Sequence, residues 1–375
     1  MAPTEPADVR LYGAMDYAVS TLRAVAPRVS SFPQLTAYER WVYRDHGGWV
    51  GGFWPGQLWL AWLYTGEPEF RALAERSAGW LAPRRDDTST HDLGFLFYPS
   101  WVTGWHLTGQ PDWRDGALRA AGSMLRRFHT RGGFIRAWGA LGTPDRDGRA
   151  IIDTMMNLDL LMWASEVSGE QRYADVAVTH AETSARLLVR PDGSTCHTYD
   201  FDPASGAPVA PGTHQGYGPE SCWARGQSWA VYGFTTMYRR TGRSDFRDTA
   251  RSVADYVVAH LPDDGVPFWD YRSPYVPFDV RDSSAGAIAA CGLFDLAAAT
   301  GDDGYARTAR RILDALVDTC LTVHSSRAEG VLGRVTQNRP EELGIEVCTP
   351  YGDYYLMEAL LRLLRPDDLS RALGR

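Results

Sequence analysis

The stretch YTGEPEF, Tyr64 to Phe70, returns in altered form four more times. The others are LTGQPDW at Leu107 to Trp113, VSGEQRY at Val167 to Tyr173, RTGRSDF at Arg240 to Phe246 and ATGDDGY at Ala299 to Tyr305. Each has a glycine followed four residues later by an aromatic ring. Glycine suits the left-handed conformation that ends a helix, and the polar residues after it suit the start of the next. The segments after the turns, from FRALAERSAGWL to YARTARRILDALVDTCL, place Ala, Val and Leu at spacings near three and four, the pattern of an amphipathic helix. Each turn therefore reads as the tip of a helix pair, with successive tips roughly 40 to 75 residues apart. Five tips plus an N-terminal helix around Asp16 to Val25 give about six hairpins with no linker to divide them. The expectation is one all-α domain over residues 1–375, an (α/α)6 barrel; an open helical solenoid is the alternative that periodicity leaves standing. Strands should be few, with short hairpins in the Gly/Pro-rich stretch from Pro203 to Pro219.

Composition narrows the chemistry. The 375 residues, 44% hydrophobic, are enough for a large core. A formal charge of -8 argues against a broad nucleic-acid-binding surface. The sequence has no lysine, so Schiff-base chemistry and a P-loop lysine are excluded, and an anionic substrate has to be met by local Arg and His. Five scattered cysteines without a CxxC pair fit reduced thiols in the cytoplasm. The first residues lack a basic start and a continuous apolar stretch, and no later window approaches 18 uninterrupted apolar residues, so neither export nor a membrane is expected. Oligomeric state is not legible.

If the tips lie at one end of a ring, the longer loops gather at the other, and those loops hold the unusual residues. Asp92, in HDLGF, precedes an apolar helix, where capping and chemistry are equally open readings. Asp153, in IIDTMMNLDLL, stands at the mouth of what should be a buried helix; burial would raise its pKa and suit it to hold a proton near neutrality. An N-cap is again the plain alternative, with Asn157 and Asp159 as surface positions. Arg225 and Gln227 lie between tryptophans in SCWARGQSWA, and either one is as readily half of a structural ion pair as a ligand. His197 and Gln215 fall in the loop-rich stretch before them, where an isolated His is more often structural. Tyr351, Asp353, Tyr354 and Tyr355 open the last helix, to line a pocket or to close the ring.

Taken in order, HDLGF, IIDTMMNLDLL, HQGY, WARGQSWAVYGF and GDYYLMEALLRL resemble the unsaturated glucuronyl hydrolases, glycoside hydrolase family 88, from about Trp49 to Leu364. The resemblance implies an (α/α)6 barrel, no metal or organic cofactor, and cytoplasmic hydrolysis of unsaturated uronate-containing oligosaccharides left by polysaccharide lyases. By it Asp153 is the general acid and base, and Asp92 is the second carboxylate. His91, Trp138, His197, Gln215, Arg225 and Trp229 match positions of the sugar pocket, with Arg225 suited to pair with the uronate carboxylate. Trp49 and Tyr351 match more loosely, near a short insertion and a departure from a more usual Trp. An unsaturated rhamnogalacturonyl hydrolase is the neighbouring reading. A sugar epimerase would rely on paired histidines, and a non-catalytic oligosaccharide-binding protein would keep the aromatics without needing two inward carboxylates.

Overall fold

A computed structural model describes residues 6–143 and 147–375. The helices alternate between the outside and the inside of a closed ring. α1 (Pro6–Val25) lies outside and α2 (Phe53–Thr65) inside, followed by α3 (Pro68–Gly79) outside. The next inner segment is α4 (Leu93–Phe97), continued through a π-helical turn over Tyr98–Val102 into α5 (Thr103–Thr108). Then come α6 (Pro111–Leu125) outside, α7 (Thr154–Ser168) inside, α8 (Gln171–Leu187) outside, α9 (Ala224–Thr241) inside and α10 (Ser244–His260) outside. α11 (Ser283–Thr300) inside, α12 (Asp303–Thr319) outside and α13 (Pro350–Leu364) inside complete the ring, and α14 (Pro366–Leu373) lies across its end. Each inner segment touches the next, and α13 returns to α2, so the ring closes as an (α/α)6 barrel and the open solenoid is discarded.

The repeated turn explains this alternation. Gly66, Gly109, Gly169, Gly242 and Gly301 each end an inner helix in the left-handed conformation. The aromatic four residues later starts the buried stripe of the outer helix: Phe246, Ala250, Val253, Ala254 and Val257 in α10, and Tyr305, Ala309, Ile312, Leu313 and Leu316 in α12. Those positions are i, i+4, i+7, i+8 and i+11, one face of a 3.6-residue helix. Inner helices have no such stripe because they are covered on every side: α9 is buried without a break from Ala224 to Met237. α11 is apolar and long enough to cross a membrane, yet it is an inner helix of the ring, mostly buried against its neighbours.

Inner helices approach closely where one of them presents glycine. A Cβ on Gly94 of α4 would collide with the Asn157 backbone of α7, and one on Gly233 of α9 would lie 2.5 Å from Met155 Cβ. A Cβ on Gly292 of α11 would lie 2.8 Å from Tyr232 Cα. At the tip end the axis is filled by ion pairs instead: Asp159 accepts from Arg240 at 2.8 Å and Arg375 at 2.7 Å, and Arg362 binds Asp295 at 3.1 Å. Asp159 is therefore a core residue, not a surface position.

Strands are short. β1 (Phe32–Ala37) and β2 (Arg40–Arg44) form a hairpin that the sequence reading did not include, as do β3 (Phe128–His129) and β4 (Phe134–Ile135). β5 (Arg149–Ile151), β6 (Thr198–Phe201) and β7 (Pro208–Gly212) make a three-stranded antiparallel sheet. Of the hairpin expected between Pro203 and Pro219 only β7 lies there; its partner β6 lies wholly before Pro203.

Gly233→Ala should cost about 1–3 kcal/mol by overpacking against α7. Gly13→Ala, on the exposed side of α1 with nothing within 4 Å of the added methyl, should instead gain roughly 0.5–1 kcal/mol. Thermal unfolding of both variants checks the packing; equal shifts would contradict it.

Candidate active site

Because the inner helices all begin at the end opposite the glycine tips, their N-termini converge. Asp92 is the N-cap residue of α4 and Asp153 that of α7, but neither side chain caps its helix. The plain N-cap reading fails for both, and both carboxylates are left facing inward. Asp92 accepts from Thr90 Oγ1 at 2.6 Å and lies 3.3 Å from His91 Nε2. Asn157, buried and not a surface position, ties the two helices together: its Oδ1 accepts from Phe95 N at 2.7 Å and its Nδ2 donates to Asp153 O at 3.2 Å.

The β5–β6 pairing brings His197 to Asp153. Ile151 faces Thr198 across the sheet and Ile152 N donates to His197 O at 3.0 Å, so the residue next along each strand's end is carried into the same space. His197 Nδ1 accepts from the backbone N–H groups of His214 at 3.1 Å and Gln215 at 3.0 Å. An acceptor at Nδ1 puts the ring proton on Nε2, which points at Asp153 Oδ2 from 3.6 Å. Burial lowers the pKa of His197 well below the usual value, with His214 and Arg225 adding to the effect, so this imidazole is neutral. His91 is held neutral by burial as well; its Nδ1 meets Thr154 Oγ1 at 2.9 Å.

Asp153 is the distinctive group. Burial, reinforced by the nearby charge of Asp92, raises its carboxyl to about 7 against the opposing pull of the Arg225 charge. Its Oδ2 is buried with no hydrogen-bond partner, as are His197 Nε2, Trp229 Nε1, Arg225 Nε and Tyr351 Oη. Asp353 is also raised to about 7 by burial, but its two oxygens accept the backbone N–H groups of Val331 and Leu332 and hold a loop in place. Satisfaction of the oxygens separates the structural carboxyl from the one free to react.

Arg225 departs from the expectation of a uronate clamp. It is fully buried; Nη1 binds Asp282 and Thr336 O, and Nη2 donates to Gln337 O at 2.6 Å. Both ends of the fork are taken, leaving Nε and the charge. Its guanidinium lies over Trp223 at 4.5 Å and Tyr351 at 5.2 Å. Gln215 Nε2 donates to the same Gln337 carbonyl at 2.7 Å, so its amide nitrogen braces the site. Gln227 lies apart, spanning Thr195 N and the carbonyls of Gly193 and Val253.

Aromatic rings complete the wall. Trp49 lies 4.8 Å from Tyr351, Trp229 4.9 Å from Phe95, and Trp138, half-buried, lies between His91 and His214. Tyr354 and Tyr355 belong to the core of the ring. Sequence reasoning passed over Trp223, whose ring lies 4.3 Å from that of His197 and tilted to it by 35°, and Asp282, the partner of Arg225. Asp282 caps α11 through Ser284 N, so the DSS start of that helix was its only local signal. Among the described residues, no group of three or more His, Cys, Asp or Glu is arranged to hold a metal ion.

Comparison with known proteins bears on this geometry. The family described as Glycosyl Hydrolase Family 88 matches residues 23–358. The unsaturated glucuronyl hydrolase of Bacillus sp. (strain GL1) is 39% identical over 343 residues, 89% of this chain and 91% of that protein. An unsaturated chondroitin disaccharide hydrolase of Streptococcus pyogenes serotype M1 is 36% identical over 338 residues, 88% and 84% of the two chains. The crystal structure of the unsaturated glucuronyl hydrolase from Bacillus sp. GL1 superposes with a TM-score of 0.90 at 37% identity, covering 96% of this chain and 97% of that one.

An unfolded aspartate titrates near about 3.9, and Asp153 in the folded chain at about 7, so the folded state binds the extra proton between those values. Stability contributed by that proton is lost as the pH rises through this window. Asp153→Asn should therefore melt above the parent at pH 8, with the difference closing toward pH 4. A difference that is independent of pH would contradict the assignment.

Proposed function

The chain belongs to glycosyl hydrolase family 88, and from that premise we propose that Asp153 is the acid and base with which it releases the 4,5-unsaturated uronic acid from the non-reducing end of polysaccharide-lyase products. One observation carries the assignment. Asp153 Oδ2 is buried, unpartnered and raised to about 7, so the carboxyl holds a proton near neutrality with nothing in the protein to take it.

The substrate's C4=C5 bond is an enol ether. Asp153 gives its proton to C4, and the π electrons form the new C–H bond. Positive charge develops at C5 and is shared by the ring oxygen. Water adds its oxygen to C5 and returns a proton to the Asp153 carboxylate, which restores the acid. The resulting hemiketal opens by breaking the bond between C5 and the ring oxygen, leaving a ketone at C5. The ring oxygen is then a hydroxyl on C1, and collapse of that hemiacetal to an aldehyde expels the leaving sugar as an alcohol. C1 is never attacked directly.

Asp92, less deeply buried and held by Thr90, supplies the negative charge that faces the developing cation and helps to orient the water. The unspent donors Trp229 Nε1–H, His197 Nε2–H and Arg225 Nε–H meet the uronate carboxylate, with the positive ends of the inner helices around them. Trp49 and Trp138, both half-buried, present faces to the flat unsaturated ring, with the buried Tyr351 behind Trp49. We place the reaction in the cytoplasm, a reading supported by five cysteines that are all free and buried.

Loss of ultraviolet absorbance from unsaturated disaccharides measures the reaction, because hydration removes the conjugated chromophore. Asp153→Asn should lower kcat by about a thousandfold or more while substrate still binds; substantial turnover would refute the assignment. Since the acid must be protonated, kcat/KM should fall as the pH rises through about 7. Asp92→Asn removes a like charge that raises the Asp153 carboxyl, so the residual activity of that variant should decline at lower pH than the parent's. An unmoved alkaline limb would separate Asp92 from Asp153.

A further inference from the structure

Beyond the catalytic pocket, a groove of about 270 Å³ is lined by Tyr217, Trp269, Tyr275, Asp279, Arg339 and Pro340. Two stretches of backbone tie it to the wall of the site. Tyr217 is two residues past Gln215, and Arg339 two past Gln337, the pair whose side chain and carbonyl join at the pocket wall, so each lies within about 7 Å of chain from it.

The groove is aromatic, and hydrogen bonds fix much of its backbone. Buried Asp270 holds two of its three loops: Oδ2 accepts from Tyr217 N at 3.0 Å and Ser221 Oγ at 2.7 Å, and Oδ1 accepts from Arg272 N at 2.8 Å. Asp279 accepts from Trp269 Nε1 at 2.8 Å and fixes that ring, and it also accepts from Ser273 Oγ. Tyr217 and Tyr275 lie edge to face at 6.2 Å, yet they remain 52% and 64% exposed. Two large rings left in water give up burial that neighbouring aromatics in this chain obtain. Their faces suit the apolar side of a sugar ring. The lining carries one carboxylate and one guanidinium, so its formal charge is zero, and its volume lies just under the roughly 300 Å³ at which pockets for drug-sized ligands begin.

The geometry points to a subsite in which Tyr217 and Tyr275, with the buried Trp269 as its floor, hold an uncharged sugar ring on the leaving side of the oligosaccharide, making the two tyrosines determinants of substrate length. The inference rests on the reaction proposed above, which places the unsaturated sugar beside Asp153 and sends the rest of the chain outward.

The test compares kcat/KM for an unsaturated tetrasaccharide with uncharged leaving-side sugars against that for the methyl glycoside of the unsaturated uronate, which has none. The parent should favour the tetrasaccharide. In Tyr217→Ala/Tyr275→Ala the ratio of the two values should fall at least fivefold, through KM rather than kcat, and Tyr275→Phe should keep it, since the ring face remains. A smaller fall in the ratio, or one carried by kcat, overturns the subsite. If the parent consumes neither compound, the reaction itself is wrong, a result distinct from failure of the groove.

Discussion

A carboxyl group that is to stay protonated at neutral pH needs an environment that refuses its charge, and the barrel is organised around supplying one. Asp153 sits at the start of α7, at the end of the ring where the inner helices begin, with one oxygen buried and without a partner. Glycines such as Gly94 and Gly233 let α4, α7 and α9 approach so closely that water has little room between them. The same convergence brings the positive ends of the inner helices to one place, a setting that favours an anionic ligand. The protein's own carboxyl keeps its proton because burial and Asp92 outweigh that influence.

Arg225 shows how narrow the balance is. A guanidinium at the pocket wall attracts a uronate, but unopposed it would also ionise Asp153 and remove the acid. Asp282, fully buried and paired with Arg225, takes up part of that charge, and two carbonyls fix the direction of the fork. A buried ion pair of this kind adds little net stability. Here it meters the positive potential that reaches both substrate and acid.

The hairpin ring was legible because the signal was local and repeated: one glycine and one aromatic at fixed separation state where an inner helix stops and where the outer stripe begins. Asp92 and Asp153 were legible as carboxylates opening inward helices, but their roles only by resemblance, since an N-cap and a reactive acid occupy the same sequence position and differ only in whether a backbone N–H is bound. Arg225 was visible, but Asp282 lies 57 residues further on and announced itself as an ordinary helix cap. The β1–β2 hairpin was missed because its alternation is weak: Arg40, Val42, Tyr43 and Arg44 are all exposed. The state of His197 depends on two backbone N–H groups whose direction no spacing rule gives.

Closure of the ring joins segments from opposite ends of the chain. Arg10 on α1 binds Asp318, Gln57 on α2 donates to Pro350 O, and Thr36 N donates to Cys348 O. A ring of this kind has an arithmetic that an open stack lacks. Adding or losing one hairpin changes the angle at every other interface, whereas lengthening a loop at the open end disturbs none of them. Divergence is thereby channelled into the rim, where a chain can alter which sugars it accepts while the apparatus for moving a proton is inherited intact.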